Sequence, residues 1–335
     1  MSELILVTGG AGFIGSNFVR YMLAKYPDYR IVVLDALTYA GNLDNFHDIW
    51  ANPNFQFFQG RIEDPAIVDN LARNVDCILN FAAESHNDRA ILYPEQAVVS
   101  NFNGVFVLLE AARKFGHERF LQVSTDEVYG STSTVFREGD PLEPNQPYSA
   151  AKAGGELMVR AYHVTFGLPT IVTRGSNTFG PYQYPEKLIP LMVTNALDDL
   201  PLPVYGDGAQ VREWMDVLDH CKGIDLALHN GTPGEVYNVG GANERFNIDV
   251  VRLILQVLGK PDSLIRHVKD RPGHDRRYAM DISKIESLGF KPNTDFDKRL
   301  AETVRWYVEN PTWWRKIKEK QAEYKAFNEK WYADR

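Results

Sequence analysis

The residues best suited to chemistry lie between Ser124 and Lys152, where STDEVYGS and YSAAKAGGE flank an acidic, proline-broken loop. Tyr148 and Lys152 are four residues apart, so a helix would place both side chains on one face. Proton transfer by a phenol near neutrality requires its pKa to fall by roughly 3 units, or about 4 kcal/mol. The ammonium supplies part of this shift, and a second positive group must supply the rest. The spacing alone is not diagnostic, because Tyr21 and Lys25 repeat it.

Thr125, Asp126 and Glu127 follow the strand-like run RFLQVS, which spans residues 119–124. In a parallel sheet they would lie at the carboxyl edge, where ligands bind in open α/β folds. The alternative is an ordinary polar turn that closes a strand. Because consecutive strand residues face opposite sides, both carboxylates can serve one site only if the chain has turned at this point.

A glycine-rich turn predicts a binding site for the group that would supply the missing positive charge. The apolar run Leu4 to Thr8 leads into GGAGFIG, with Gly9, Gly12 and Gly15, and then into a helical pattern that ends near Tyr26. Strand, glycine turn and helix N-terminus together let backbone amides approach a pyrophosphate. An oxidised nicotinamide bound there would carry the positive charge.

The second predicted strand ends at Asp35, about 20 residues after the glycine turn, the spacing of a ribose-binding carboxylate. Such a carboxylate accepts both ribose hydroxyls and repels a 2′-phosphate, so the predicted cofactor is NAD rather than NADP. The alternative is a turn aspartate without a ligand.

Alternating strand and helix patterns predict an α/β fold with a Rossmann-type doubly wound parallel sheet. Prolines become frequent after Gly180, which suggests a boundary. We expect an NAD-binding domain at 1–180 and a smaller, mixed α/β substrate-binding domain with C-terminal helices at 181–335. Elements at about 215–240 are expected to return to the first sheet.

Composition excludes some classes of function. The chain has 335 residues, 44% of them apolar, and a net charge of -8, which argues against nucleic acid as a main partner. Cys77 and Cys221 lack metal-type spacing, and no run of 18 apolar residues occurs. With no N-terminal signal pattern, we expect a cytoplasmic protein without a metal or a membrane partner.

Cations in the second half form a further candidate site. Lys187, Arg212 and Arg271 are followed by His274, Arg276 and Arg277, which could clamp a diphosphate or could be surface charges. In the first half of the chain, two interpretations are likewise open: a ligand contact or an ion pair within a loop could involve His86, Asp88 and Arg89.

The motifs GGAGFIGSNF, DALTYAGNLDN, NFAAESHNDR, STDEVYGS, YSAAKAGGE, GPYQYPEKLIPL, PVYGDGAQVREW and DRPGHDRRYAMD occur in this order. With them the chain resembles the extended short-chain dehydrogenase/reductase superfamily and is specifically similar to the dTDP-glucose 4,6-dehydratases. The resemblance implies that Tyr148, aided by Lys152 and Thr125, deprotonates the sugar 4-hydroxyl. It implies Asp126 as the acid for the departing 6-hydroxyl and Glu127 as the base at carbon 5.

The resemblance also implies the lining of two binding sites and a homodimer, which the small residues Ala150, Ala151, Ala153, Gly154 and Gly155 would favour. The NAD site would comprise Gly9, Gly12, Phe13, Ile14, Gly15, Asp35, Ala36, Leu37, Thr38, Arg61, Ile62, Phe81, Ala82, Ala83, Ser100, Tyr148, Lys152 and Thr178. The dTDP-glucose site would comprise Ser85, Thr125, Asn177, Glu186, Lys187, Leu188, Pro203, Val204, Tyr205, Arg212, Asn247, Asp270, Arg271 and His274.

Three residues depart from the family pattern: Arg61 replaces an acidic residue, Asn87 a valine and Thr178 an asparagine. We expect none of them to touch the chemistry. Three alternatives remain open at this point: a dehydratase for a UDP- or GDP-linked sugar, a UDP-sugar 4-epimerase or decarboxylase, and a non-catalytic dinucleotide sensor.

Overall fold

A computed structural model describes residues 3–332, so residues 1–2 and 333–335 of the two expected domains lie outside the described residues. The strands are β1 (Leu4–Thr8), β2 (Arg30–Asp35), β3 (Phe55–Gln59), β4 (Cys77–Asn80), β5 (Arg119–Thr125), β6 (Thr170–Gly175), β7 (Asn177–Phe179), β8 (Leu202–Tyr205), β9 (Val211–Asp216), β10 (Val236–Val239), β11 (Glu244–Phe246) and β12 (Ile265–Val268).

The helices are α1 (Phe13–Lys25), α2 (Pro65–Ala72), α3 (Asn87–Leu92), α4 (Pro94–Val98), α5 (Val105–Phe115), α6 (Pro147–Phe166), α7 (Leu188–Leu197), α8 (Val217–Asn230), α9 (Asn247–Leu258), α10 (Ser283–Glu286), α11 (Phe296–Glu309), α12 (Pro311–Lys320) and α13 (Ala322–Tyr332). A π-helical turn, Val99–Gly104, joins α4 to α5, so the chain is helical without a break from Pro94 to Phe115 but locally widened.

The large sheet has seven parallel strands in the order β3-β2-β1-β4-β5-β6-β10. The chain reverses its direction of winding between β1 and β4, which creates a crevice at their carboxyl ends. This confirms the predicted doubly wound sheet. The strand β10 lies at its edge, beside β6, as the sequence suggested for the elements at 215–240.

Side chains of the central strands point alternately into two apolar layers, one on each face of the sheet. Ile5 and Val7 of β1 pack with α1 and α8 on one face, and Leu6 packs with α2, α5 and α6 on the other. A parallel sheet covered on both faces requires this double burial.

A separate apolar core lies in the second half of the chain. Helices α7, α9, α11, α12 and α13 contribute to it, with Trp314 and Tyr307 almost completely buried. Beside it lie a three-stranded sheet, β11-β9-β7, and the pair β12-β8. No helix within residues 3–332 is long and apolar enough to cross a membrane.

Candidate active site

The glycine turn brings the backbone of β1 against the end of β4. Gly9 has a positive φ of 69°, and a Cβ there would collide with the backbone of Ala82. A Cβ on Gly15 would collide with the Gly9 carbonyl oxygen, so only glycine permits this close packing. Helix α1 then starts at Gly12 with no side-chain cap and no acidic residue in its first turn, which leaves its amides free for an anion.

The Asp35 carboxylate is held beside the glycine turn by two backbone amides. One oxygen accepts from Ala11 N at 2.9 Å and the other from Leu37 N at 2.8 Å. Burial raises the pKa of Asp35, while these amides oppose the shift. Each carboxylate oxygen retains a lone pair, so the turn aspartate and the ribose acceptor are compatible roles.

These elements surround a first cavity at the carboxyl edge of the large sheet. It brings together every predicted NAD-site residue except Leu37: Gly9, Gly12, Phe13, Ile14, Gly15, Asp35, Ala36, Thr38, Arg61, Ile62, Phe81, Ala82, Ala83, Ser100, Tyr148, Lys152 and Thr178. Leu37 instead contributes its backbone amide to Asp35, at a φ of 52°. Within the described part of the chain, the buried hydroxyls of Ser124 and Ser176 line this cavity without a partner, which fits a polar ligand.

Two departures from the family pattern have local partners in this cavity. Arg61 is largely exposed and forms an ion pair with Glu63, 3.3 Å away, whose carboxylate also accepts from Ser100. The Thr178 hydroxyl lies 2.8 Å from His220 Nδ1. An acidic side chain is therefore present beside Arg61, two residues later than the family pattern places it.

The two consecutive carboxylates point into one site because the chain turns between strand and loop. Strand β5 ends at Thr125, and a 3₁₀ turn follows over Asp126–Tyr129. The Thr125 hydroxyl accepts from Glu127 N and donates to Asp126 Oδ1 at 3.1 Å. Two consecutive carboxylates can face one site only if the chain turns between them, and the structure has this turn at Asp126 and Glu127.

Asp126 is 2% exposed, and within residues 3–332 its Oδ2 has no partner. Burial, then the charges of Glu127 and Glu213, raise its pKa well above the ordinary value. Asp126 is therefore suited to hold a proton and to donate it, which is the requirement for a general acid.

Tyr148 and Lys152 lie on one face of α6, both buried. The Lys152 ammonium donates to the Val123 carbonyl at 2.6 Å, and burial lowers its pKa to about 8. Burial, followed by Glu127 and Asp126, raises the pKa of Tyr148 well above 10. This pair therefore needs additional positive charge before the phenol can act as a base near neutrality.

The same spacing at Tyr21 and Lys25 has a different setting. The Lys25 ammonium contacts Tyr21 Oη at 3.1 Å and Asp225 at 2.5 Å, on the side of the molecule where α1 meets α8. Position at the sheet edge, rather than spacing, distinguishes the two pairs.

A second cavity adjoins the first and shares Glu127, Asn177 and Lys187 with it. It brings together most predicted sugar-nucleotide residues: Asn177, Glu186, Lys187, Leu188, Pro203, Val204, Tyr205, Arg212, Asn247, Arg271 and His274. Ser85 and Thr125 line the first cavity. Asp270 lines neither cavity, because its partly exposed carboxylate pairs with His274 at 2.6 Å.

Three cations converge on the second cavity, of which Arg212 is buried and Lys187 and Arg271 are partly buried. The Lys187 ammonium donates to Ser85 O at 2.5 Å, and Arg212 donates to Asp275 O at 2.9 Å. Arg271 pairs with Asp88 at 2.9 Å, and its Nε has no partner within residues 3–332. Unsatisfied buried groups of this kind fit an anionic ligand.

Neighbouring charges have other roles. Arg276 and Arg277 form surface ion pairs with Asp207 and Glu244 and line neither cavity, so they are not part of the predicted clamp. Arg89 pairs with Glu186, whereas Asp88 accepts from both Arg271 and Tyr205 at the wall of the cavity.

Sequence reasoning missed several residues of the second cavity, among them residues of the C-terminal helix and a partner of Glu127. Tyr332 of α13 lines the second cavity, and the nearby Trp331 donates to Tyr205 Oη at 2.6 Å. Asn87 donates to Glu127 Oε2 at 2.7 Å, so the expectation that this departure does not touch the proposed chemistry is wrong. The aromatic residues of the C-terminal tail were a weak sequence signal for the contacts of Tyr332 and Trp331. No local sequence pattern indicated the contact between Asn87 and Glu127.

Comparison with known proteins places this geometry in a family. The family model described as GDP-mannose 4,6 dehydratase matches residues 6–303. The dTDP-glucose 4,6-dehydratase of Actinoplanes sp. is 49% identical over 317 residues, which cover 92% of this chain and 99% of that protein.

Solved structures agree with the sequence comparison. DesIV, a dTDP-glucose 4,6-dehydratase from Streptomyces venezuelae with NAD and TYD bound, has a TM-score of 0.92 and 51% identity, covering 94% of this chain and 99% of that one. A UDP-glucuronic acid 4-epimerase from Bacillus cereus has a TM-score of 0.86 but only 27% identity, over 91% and 99% of the two chains. The chain therefore belongs to the extended short-chain dehydrogenase/reductase superfamily and, within it, to the dTDP-glucose 4,6-dehydratase family.

Proposed function

We propose that the protein is an NAD-dependent hydro-lyase that converts dTDP-glucose to dTDP-4-keto-6-deoxyglucose and water, a precursor for deoxysugars. The observation that carries this proposal is the acidic pair at the junction of the two cavities. Asp126 is buried with a raised pKa, and the adjacent Glu127 faces the second cavity. An epimerase has no need for a proton donor to a leaving hydroxyl beside a second carboxylate.

The residues of the first cavity would hold NAD, which would supply hydride transfer from carbon 4 of the sugar and back to carbon 6 and would so be regenerated in each turnover. Tyr148 accepts the 4-hydroxyl proton, with the positive nicotinamide ring providing the charge that Lys152 and Thr125 alone do not. The resulting 4-ketone acidifies the proton at carbon 5, which Glu127 removes. Asp126 protonates the 6-hydroxyl, which leaves as water, and Glu127 returns a proton to carbon 5.

The site residues fit the two ligands as follows. We assign the residues of the first cavity, together with the Leu37 amide, to NAD. We assign the cations of the second cavity, Lys187, Arg212 and Arg271, to the diphosphate of the sugar nucleotide. In domain terms, residues 1–180 with the returning strand β10 would bind NAD, and most of 181–335 would bind the sugar nucleotide.

Incubation with dTDP-, UDP- and GDP-glucose tests the function and the base preference together. We expect loss of water and a 4-keto-6-deoxy product from dTDP-glucose, with NAD rather than NADP released on heating the purified protein. A product epimerised at carbon 4 that retains its 6-hydroxyl would establish the epimerase alternative. Absence of turnover with all three, despite bound NAD, would favour a dinucleotide sensor.

A homodimer is part of this proposal, although the residues that support it differ from those expected. Gly154 and Gly155 let α6 pack closely on the π-helical turn of its own chain, and Ala151 and Ala153 are buried. Exposed apolar side chains instead form stripes with a seven-residue spacing: Leu157 and Val164 on α6, Val99 and Phe106 on the neighbouring segment. Light scattering at micromolar concentration should give twice the 38.0 kDa chain mass; a monomeric mass would exclude this interface.

The buried free thiols of Cys77 and Cys221 fit a reducing, cytoplasmic compartment.

A further inference from the structure

Among the side chains of residues 3–332, one hydrogen-bonds the Glu127 carboxylate. Asn87 Nδ2 donates to Glu127 Oε2 at 2.7 Å, across 40 positions of sequence. Asn87 is 6% exposed, and within residues 3–332 its Oδ1 has no partner. The three cations nearest to Glu127 act on it only at longer range, because their own hydrogen bonds go to Ser85, Asp275 and Asp88.

Asn87 is itself fixed by its neighbours. It is the first residue of α3, and the two residues that follow it form ion pairs: Asp88 with Arg271, and Arg89 with Glu186. Ala90, in the next turn, packs against Tyr148 and Ala151 of α6. The carboxamide is therefore presented from a rigid position rather than from a mobile loop.

We propose that Asn87 is a positioning residue that orients Glu127 for proton transfer at carbon 5 of the sugar and accommodates both of its protonation states. This inference rests on the proposed function. The amide donates to the carboxylate form, because an amide oxygen in the same place would repel it. Once Glu127 holds the carbon 5 proton, a half-turn of the carboxamide lets Oδ1 accept from the carboxylic acid. A valine at this position can do neither.

Several other charged or titratable groups surround Glu127. Asp126 lies on the same turn and Tyr148 on α6, Lys187 precedes α7, and Arg212 lies on β9. Arg271 and Tyr278 approach from the segment after β12. The variants at position 87 leave all of these groups in place, so a change at the Glu127 carboxyl carbon reports the lost hydrogen bond.

Asn87→Val removes the donor at similar size, and Asn87→Asp keeps the shape but replaces the donor with a second carboxylate. Asn54→Val is the matched control, since the Asn54 side-chain amide donates to Pro27 O and Asn54 lines neither cavity. In protein labelled with ¹³C at the glutamate carboxyl carbon, the Glu127 signal is identified by its absence in Glu127→Gln. We expect this signal to shift in Asn87→Val and in Asn87→Asp, which lose the hydrogen bond to Oε2, and to stay in place in Asn54→Val.

Turnover provides the second readout. On mixing Asn87→Val with dTDP-glucose, reduced nicotinamide should accumulate, because oxidation at carbon 4 is retained while carbon 5 exchange and product formation slow roughly 10- to 100-fold. KM should stay within about twofold, so the loss should fall on kcat.

An unchanged Glu127 signal with unchanged turnover would overturn the proposal, as would equal losses in oxidation and elimination, which indicate a merely structural role. If the wild-type protein does not convert dTDP-glucose, the proposed function fails, and the carboxyl signal still decides whether Asn87 bonds to Glu127.

Discussion

The two cavities meet at Glu127, Asn177 and Lys187, yet they are built in different ways. The first is assembled from contiguous strand, turn and helix units, in which each residue is placed by the backbone next to it. The second is assembled from pairs far apart in sequence, such as Asp88 and Arg271, which are 183 positions apart. The first cavity thus depends on local backbone geometry, and the second on long-range charge pairing.

Their electrostatics differ accordingly. Asp35, beside the glycine turn in the first cavity, accepts hydrogen bonds from two backbone amides. The second cavity holds buried and partly buried cations, and burial lowers the pKa values of Lys187 and Arg212. Buried like charges are costly unless an anion neutralises them, so the second cavity should be specific for a diphosphate through charge.

The largest effects should come from substitutions of Asp126 and Glu127 at the junction of the two cavities. These substitutions should stop the chemistry while both cavities stay intact. Glu127→Gln should still oxidise carbon 4 but release almost no product, a loss of about 10⁴-fold. Asp126→Asn should keep exchange at carbon 5 while dehydration slows about 10²- to 10⁴-fold. Turnover in deuterated water, followed by mass spectrometry of substrate and product, separates the two steps.

Bound NAD and substrate affinity serve as controls and should be unchanged in both variants. Exchange lost in Asp126→Asn but retained in Glu127→Gln would exchange the two assigned roles. Loss of bound NAD would show that the junction belongs structurally to the first cavity.

A smaller effect should separate the cavities themselves. Arg271→Ala removes a buried charge-assisted contact, so KM for dTDP-glucose should rise roughly 10- to 100-fold while bound NAD is retained. The matched control is Arg276→Ala, whose partner Asp207 is equally exposed, and which should change KM less than about twofold. Equal effects of the two substitutions on KM would contradict the contrast between pocket and surface cations.

The same contrast explains how far sequence reasoning reached. The doubly wound sheet, the glycine turn and Asp35 follow local rules of strand, turn and helix, and the structure places them together. The cations Lys187, Arg212 and Arg271 were recognised in the sequence as a possible diphosphate clamp. Most other residues of the second cavity were named only through family resemblance, because nothing near them in the sequence indicates that they converge. The Asn87–Glu127 contact could not be predicted, since it depends on the relative placement of α3 and the turn after β5.

The smallest effect concerns stability and tests the buried acid directly. Burial raises the pKa of Asp126 above its unfolded value of about 3.9, so the folded state binds this proton more tightly. The contribution of this proton to the free energy of unfolding is therefore complete below pH 4. It falls as pH rises towards the folded pKa, by up to about 1.4 kcal/mol per unit. Asp126→Asn lacks this titration, so its melting temperature should match that of the wild type near pH 4 and exceed it by a few degrees at pH 7 to 8. Calorimetry of the NAD-saturated proteins across this range measures the difference. A constant offset at all pH values would mean that the carboxyl group is already ionised in the folded protein, and Asp126 could then not donate a proton to the leaving hydroxyl.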